Sequence, residues 1–400
     1  MRHHTEAQEA MTLPELRLAP LERIARFVFD RFLLLPLGAA LAVVWANVSP
    51  ESYFRFARAL DFPVNEIAMA LFLALMAQEV YDAMMPGGAL HTWRRWGMAL
   101  VAAGGGLAGA YGAYVIYVGM SHQLVLRQGW PIAGAVDVAA AYYVIKSVWR
   151  RSAALPFVLL IALASDAAGV VAMALRPRGV ETHPAGLVLV LAAVAAAAML
   201  RRRRVHVFWP YLALCGPLAW WGLYLNRIHP ALALIPIVPL LPHAPRRLEF
   251  FADPHDTDDV HHFEQRWNVA VQLILFTFGL VNAGVMLRGY DTGTWALLTA
   301  LLVGRPVGIL AAVAVAVALG FHLPRRLGWP AMIVIALAMS SGFTFALFFS
   351  VGLVPVGPML AELKLGALLS VVAAPAALLA ARAFGLGRYS RKHHSEAHHA

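Results

Sequence analysis

Apolar runs of membrane length follow one another along almost the whole chain, and no other feature restricts the fold as much. A spanning α-helix needs about 20 mostly apolar residues. Such runs are read at 27–48, 64–85, 96–119, 130–147, 154–175, 184–200, 206–225, 229–242, 263–288, 294–320, 329–352 and 361–383, the eighth of them short. Short polar connections with glycine and proline separate them. Of the 400 residues, 60% are hydrophobic and 14% charged, whereas a soluble domain carries about 25% charged residues. The expected fold is an all-α polytopic membrane protein of twelve helices. A polar segment, 1–26, precedes a membrane domain over 27–385, and a His-rich tail, 386–400, follows it. The first segment lacks the basic start and apolar core of a cleaved signal peptide. The single cysteine, Cys215, leaves no partner for an internal disulfide.

Basic residues set the orientation. With Met1 in the cytoplasm, the inner side receives Arg23, Arg26, Arg94, Arg95, Lys146, Arg150, Arg151, the run Arg201 to Arg204, Arg246, Arg247, Arg325, Arg326, Arg388, Arg391 and Lys392. The outer side receives only Arg55, Arg58, Arg127, Arg176, Arg178, Arg227 and Arg288. That asymmetry supports an even number of spans and cytoplasmic ends. It also assigns the net charge of +10 to orientation in a lipid bilayer rather than to nucleic acid. One sizeable loop, 242–262, faces the cytoplasm and holds Asp253, His255, Asp256, Asp258, Asp259, His261 and His262. It reads either as a solvated acidic loop or as a surface that senses protons or cations. Its spacing matches no closed zinc motif.

Three charges lie well inside apolar runs, away from the run ends: Asp137, Asp166 and Arg305. An ion at membrane depth costs a few kcal/mol or more and usually marks an ion or proton pathway. Two acids in consecutive spans suggest a cation site. The fourth span opens Gly129-Trp130-Pro131-Ile132-Ala133-Gly134, and the eleventh holds Ser340-Ser341-Gly342-Phe343-Thr344 at its middle. Interruptions at corresponding places in two halves point to a midplane site. Irregular backbone at that depth requires protein or water to satisfy it. If the two breaks cross, two helix N-termini present partial positive charge, which Asp137 is placed to offset, and two C-termini present partial negative charge for Arg305 to offset. The alternative is that these glycines serve close helix packing.

At these residues the chain resembles the NhaA-type sodium/proton antiporters. The matching segments are Ala46-Asn47, Glu79-Val80, Gly129-Trp130, Ala135-Val136-Asp137, Ser165-Asp166-Ala167-Ala168-Gly169, Asn282-Ala283-Gly284-Val285, Gly304-Arg305-Pro306-Val307-Gly308, Gly342-Phe343-Thr344 and Lys364-Leu365-Gly366. The resemblance implies inverted repeats with two discontinuous, crossing helices. That family is itself a standard example of the architecture, so the crossing is implied rather than independently read. It further implies secondary-active exchange of Na⁺ or Li⁺ for H⁺ by alternating access, no cofactor, a role in pH homeostasis, and the bacterial inner membrane. Asp166, Asp137 and Ser165 become the expected ion- and proton-binding residues, with Asp166 the ligand to Na⁺. Arg305 and Glu79 become electrostatic partners, Glu79 either lining a cytoplasmic funnel or snorkelling near its helix end. Gly134, Gly342 and Thr344 mark the helix breaks.

The departures from the family pattern change the chemistry expected. Ser165 stands where the family has the first of two aspartates, Arg305 where it has a lysine, and Val136 where it has a threonine. Serine carries no proton at physiological pH, and buried arginine keeps its own where lysine can lose it. Asp166 is then the main proton carrier, and one carboxylate trading one Na⁺ for one H⁺ moves no net charge. Arg305 needs a partner, which Asp166, Asp137, Glu79 or the carbonyls at the helix breaks could supply. The connection 49–63, read as a short loop, leaves no room for the family's β-hairpin, so a homodimer would need another contact. Two other readings stay open: a carrier of the same fold for a sodium-coupled organic anion, and a non-transporting, sensor-like relative. An enzyme is not expected, since no phosphate-binding glycine loop or zinc-binding HExxH occurs.

Overall fold

The computed structural model describes residues 34–84, 93–149, 154–175, 183–205, 207–226, 228–241, 261–287, 290–323 and 327–389. Among them the regular structure is entirely helical. Four helices are long and apolar enough to cross a bilayer unaided: Gly97–Met120, Pro184–Arg202, Thr292–Ala318 and Pro358–Ala383. Two bent pairs qualify when each is taken as one span, and shorter apolar helices occupy Leu34–Val48, Phe157–Ala172, Tyr211–Leu225 and Val271–Asn282. The apolar runs read from the sequence coincide with helices in all but one case.

The exception is 229–242. Instead of a spanning helix, the described part forms two short 3₁₀ turns, Pro230–Leu232 and Val238–Leu240. Pro230, Pro236 and Pro239 each remove an N–H and clash with a preceding carbonyl, which defeats an α-helix. The segment is nonetheless buried through Ala231, Leu232, Ile237 and Val238, as irregular backbone at membrane depth must be. A second correction concerns 49–63. It is not a loop: Pro50–Phe62 is an α-helix with proline in its first turn. Tyr53, Phe56, Ala57 and Leu60 recur at helical spacing and pack inward. Tyr53 anchors this helix, donating to the Val281 carbonyl at 2.8 Å and accepting from the Gly284 N–H at 2.9 Å.

Glycines decide which helices come closest. Gly105 and Gly109 on the Trp93–Met120 helix face Gly304 and Gly308 across a contact where main-chain atoms occupy the room a Cβ would need. Both pairs have the small-xxx-small spacing that lets membrane helices approach closely. Arg305 sits in the middle of this contact. Just before it, Ala300–Gly304 widens into a π turn. Pro306 would otherwise collide with the carbonyl one turn back, and the wider turn relieves that clash. The same device precedes Pro217, where Tyr211–Cys215 is π-helical. The register change fixes which way Arg305 points.

Candidate functional site

The apolar runs 130–147 and 329–352 are both interrupted at mid-length. A 3₁₀ stretch, Leu124–Gly134, and the Val138–Val148 helix meet at 47°, and Trp329–Ala338 and Phe343–Leu353 meet at 41°. Between the first two, Ala135 and Asp137 are extended. The two breaks touch: the Asp137 N–H donates to the Ser341 carbonyl at 2.6 Å. Gly342 lies so near the Ala135 carbonyl that a Cβ there would stand 3.0 Å from it.

The broken ends leave orphan groups, and charged side chains take them up. Asp137 is the N-cap of Val138–Val148, accepting from the Ala140 N–H at 3.1 Å. Its other oxygen accepts from the Thr344 hydroxyl at 3.2 Å, in the first turn of Phe343–Leu353. One carboxylate thus faces the positive ends of both half-helices. Arg305 meets the opposite ends, donating from Nη2 to the Ala133 carbonyl at 2.7 Å and from Nη1 to the Met339 carbonyl at 3.4 Å. It is 1% exposed, so these charge-assisted bonds replace water. Of the partners open to it from sequence, it takes the break carbonyls.

Asp166 lies on the Ala154–Leu175 helix and is 3% exposed. Its Oδ1 accepts from the Val136 N–H at 3.0 Å, within the first break. Its Oδ2 is buried and has no partner among the described residues. The residue also lines a cavity of about 230 Å³ whose wall includes Leu73, Ala77, Tyr81 and Val238. The irregular segment 228–241 supplies part of that wall through Ile235, Val238 and Pro239. A buried carboxylate with one oxygen held and the other unpartnered, on a residue that lines a cavity, can take a proton or coordinate a small cation.

Ser165 is buried beside Asp166, but its hydroxyl donates to the Ile161 carbonyl at 2.8 Å, one turn back on its own helix. It does not line the cavity. Glu79 lies on the Met69–Met84 helix, and its side chain is outside the described residues. The acidic and histidine-rich side chains of 253–262 also lie outside them. Asn282, a matching segment in sequence, is elsewhere: it exchanges side-chain hydrogen bonds with Asn65 at 2.8 and 3.1 Å. Among the described residues no group of three or more His, Cys, Asp or Glu could hold a metal ion.

One group at the junction, Tyr111, escaped the sequence reading, and another, Ser341, was read there only as part of the second break. Tyr111 packs edge-on against Trp130, ring centroids 4.7 Å apart, and its hydroxyl occupies the space a side chain at Gly134 would need. Ser341 carries a buried hydroxyl. Among the described residues neither the Tyr111 hydroxyl nor that of Ser341 has a hydrogen-bond partner. Tyr111 shares its helix with Tyr114 and Tyr117, and nothing in the sequence distinguishes it from them.

The comparison with known proteins joins this geometry to a family. The family model Na⁺/H⁺ antiporter 1 matches residues 31–381. The chain belongs to this family. A Desulfitobacterium hafniense protein called Na⁺/H⁺ antiporter NhaA is 36% identical over 381 residues, covering 91% of this chain and 97% of that relative. A Geobacter metallireducens protein of the same name is 38% identical over 358 residues, covering 86% and 94%. Members of the Na⁺/H⁺ antiporter 1 family are integral membrane transporters, in keeping with the apolar helices here. The match spans every element of the junction, from the Asp137 break to the Gly342 break.

Proposed function

We propose that this chain is a secondary-active antiporter exchanging Na⁺ or Li⁺ for H⁺, with the two competing for Asp166. The observation that carries the reading is Asp166 itself, whose buried Oδ2 has no partner among the described residues and which lines a half-open cavity while Arg305 is engaged elsewhere. Family membership supports the choice of cargo. In the cycle, Asp166 binds the cation as a carboxylate and releases it on taking a proton, and the junction opens to each side in turn. Asp137 and Arg305 hold the broken ends and do not exchange protons. One cation then leaves for each proton that enters, and the cycle is electroneutral. Ser165 has a lesser part, since its proton is committed to Ile161 and only lone pairs remain for the cation.

The architecture that goes with this reading has twelve spans, two of them discontinuous and crossing at the Asp137–Ser341 contact, in inverted repeats. Both termini are cytoplasmic, in the inner membrane of a bacterium. The organic-anion alternative gains nothing from the cavity, whose wall is apolar apart from Asp166 and Tyr81.

Proteoliposomes with an internal pH dye test the reading. A sodium or lithium gradient is expected to drive proton flux in the wild type and none in Asp166→Asn. Flux that survives Asp166→Asn would show that the carrier is another group.

A further inference from the structure

Besides the Ser341 hydroxyl, three buried polar atoms at the junction lack partners among the described residues: Arg305 Nε, the Tyr111 hydroxyl and Asp166 Oδ2. An unsatisfied buried polar group costs about 1–3 kcal/mol, and more when it is charged, so three in one place call for an explanation. Their chemistry is complementary. Arginine Nε is a donor only, a phenol both donates and accepts, and an ionised carboxylate only accepts. They also converge on one short stretch of backbone. Arg305 donates to the Ala133 carbonyl, the Tyr111 hydroxyl overlies Gly134, and Asp166 accepts from the Val136 N–H. The stem of Arg305 lies against Gly106, on the helix that carries Tyr111.

We propose that Tyr111 is a positioning residue that stands between Arg305 and Asp166. When Asp166 carries neither cation nor proton, the tyrosine hydroxyl accepts from Arg305 Nε and donates to Asp166 Oδ2, through a small approach of the side chains or one bridging water on each side. The relay satisfies all three atoms. It also keeps the guanidinium from closing on the carboxylate in a direct ion pair, which a cation would have to displace. A bound cation breaks only the tyrosine's bond to Oδ2. The role rests on the antiporter reading, because its consequence is the ease with which a cation reaches Asp166.

Tyr111→Phe removes the hydroxyl and keeps the ring against Trp130. In the proteoliposome assay it is expected to raise the apparent KM for sodium roughly tenfold, as Arg305 pairs directly with Asp166. The maximal rate and the melting temperature should stay close to wild type. The same change made in Arg305→Lys, whose shorter cation lacks the Nε donor, should raise KM less than about twofold. An unchanged KM in Tyr111→Phe overturns the inference, and so does an equal rise in both backgrounds or a loss of rate and melting temperature together. In each of those cases wild-type exchange stands. Wild-type vesicles without sodium-driven flux overturn the antiporter reading and this role with it.

Discussion

At the scale of single residues, the site is a division of labour among charges that burial alone would forbid. Asp137 and Arg305 are each nearly inaccessible, yet each faces main-chain groups of opposite polarity. Such bonds offset the cost of removing an ion from water. Replacing an N-cap aspartate by alanine costs about 0.5–2 kcal/mol. Asp137→Ala also strands the Thr344 hydroxyl, so it should lower the melting temperature in detergent, and Asp137→Asn should do so less because an amide oxygen still caps. An unchanged melting temperature in Asp137→Ala would remove the capping role. Ser165→Ala is expected to leave exchange in place, with sodium KM altered by about threefold or less, since its hydroxyl bonds back to its helix. A loss as complete as that of Asp166→Asn would make Ser165 a principal ligand. The three interior charges were legible because ionisable residues stand out in apolar runs. Tyr111 was not, because a tyrosine in a membrane helix carries no charge to betray it and its position over Gly134 depends on packing between distant spans.

At the scale of elements, glycine pairs and proline-driven turns position the charges. Gly109 and Gly304 let their helices touch through backbone, and the π turn over Ala300–Gly304 aims Arg305 at the breaks. Gly304→Ala should force this contact apart, because its Cβ would meet the Gly109 carbonyl. The expected result is a lower melting temperature together with slower exchange, since Arg305 moves with its helix. Slower exchange without any loss of stability would detach the glycine from the packing role. The helical runs were legible from length and polarity. The segment 229–242 was misread because apolar composition says nothing of backbone hydrogen bonds, and its prolines govern those. The Pro50–Phe62 helix was missed because a short amphipathic stretch between two long apolar runs is outweighed by its polar residues, Glu51, Arg55 and Arg58.

At the scale of the whole molecule, the basic residues and the charge count at the junction give separate predictions. The positive-inside pattern places Arg203 on the cytoplasmic side and Gln123 on the other, and both are exposed. In a Cys215→Ser background, a membrane-impermeant maleimide applied to intact cells should label Gln123→Cys and leave Arg203→Cys unlabelled. The reverse pattern would invert the topology. Competition for one carboxylate also has a slope. Below the pKa of that carboxyl, the apparent KM for sodium should rise about tenfold per pH unit, since one proton is bound for each cation lost. A hundredfold rise would mean that two protons compete. The most direct measurement follows from the same count: proton flux driven by a sodium gradient in vesicles whose membrane potential is clamped at zero or at a large negative value. A single carboxylate trading one cation for one proton moves no charge, so the account predicts the same flux at both potentials. Flux that changes with the potential would contradict it and would require a second proton carrier at the junction.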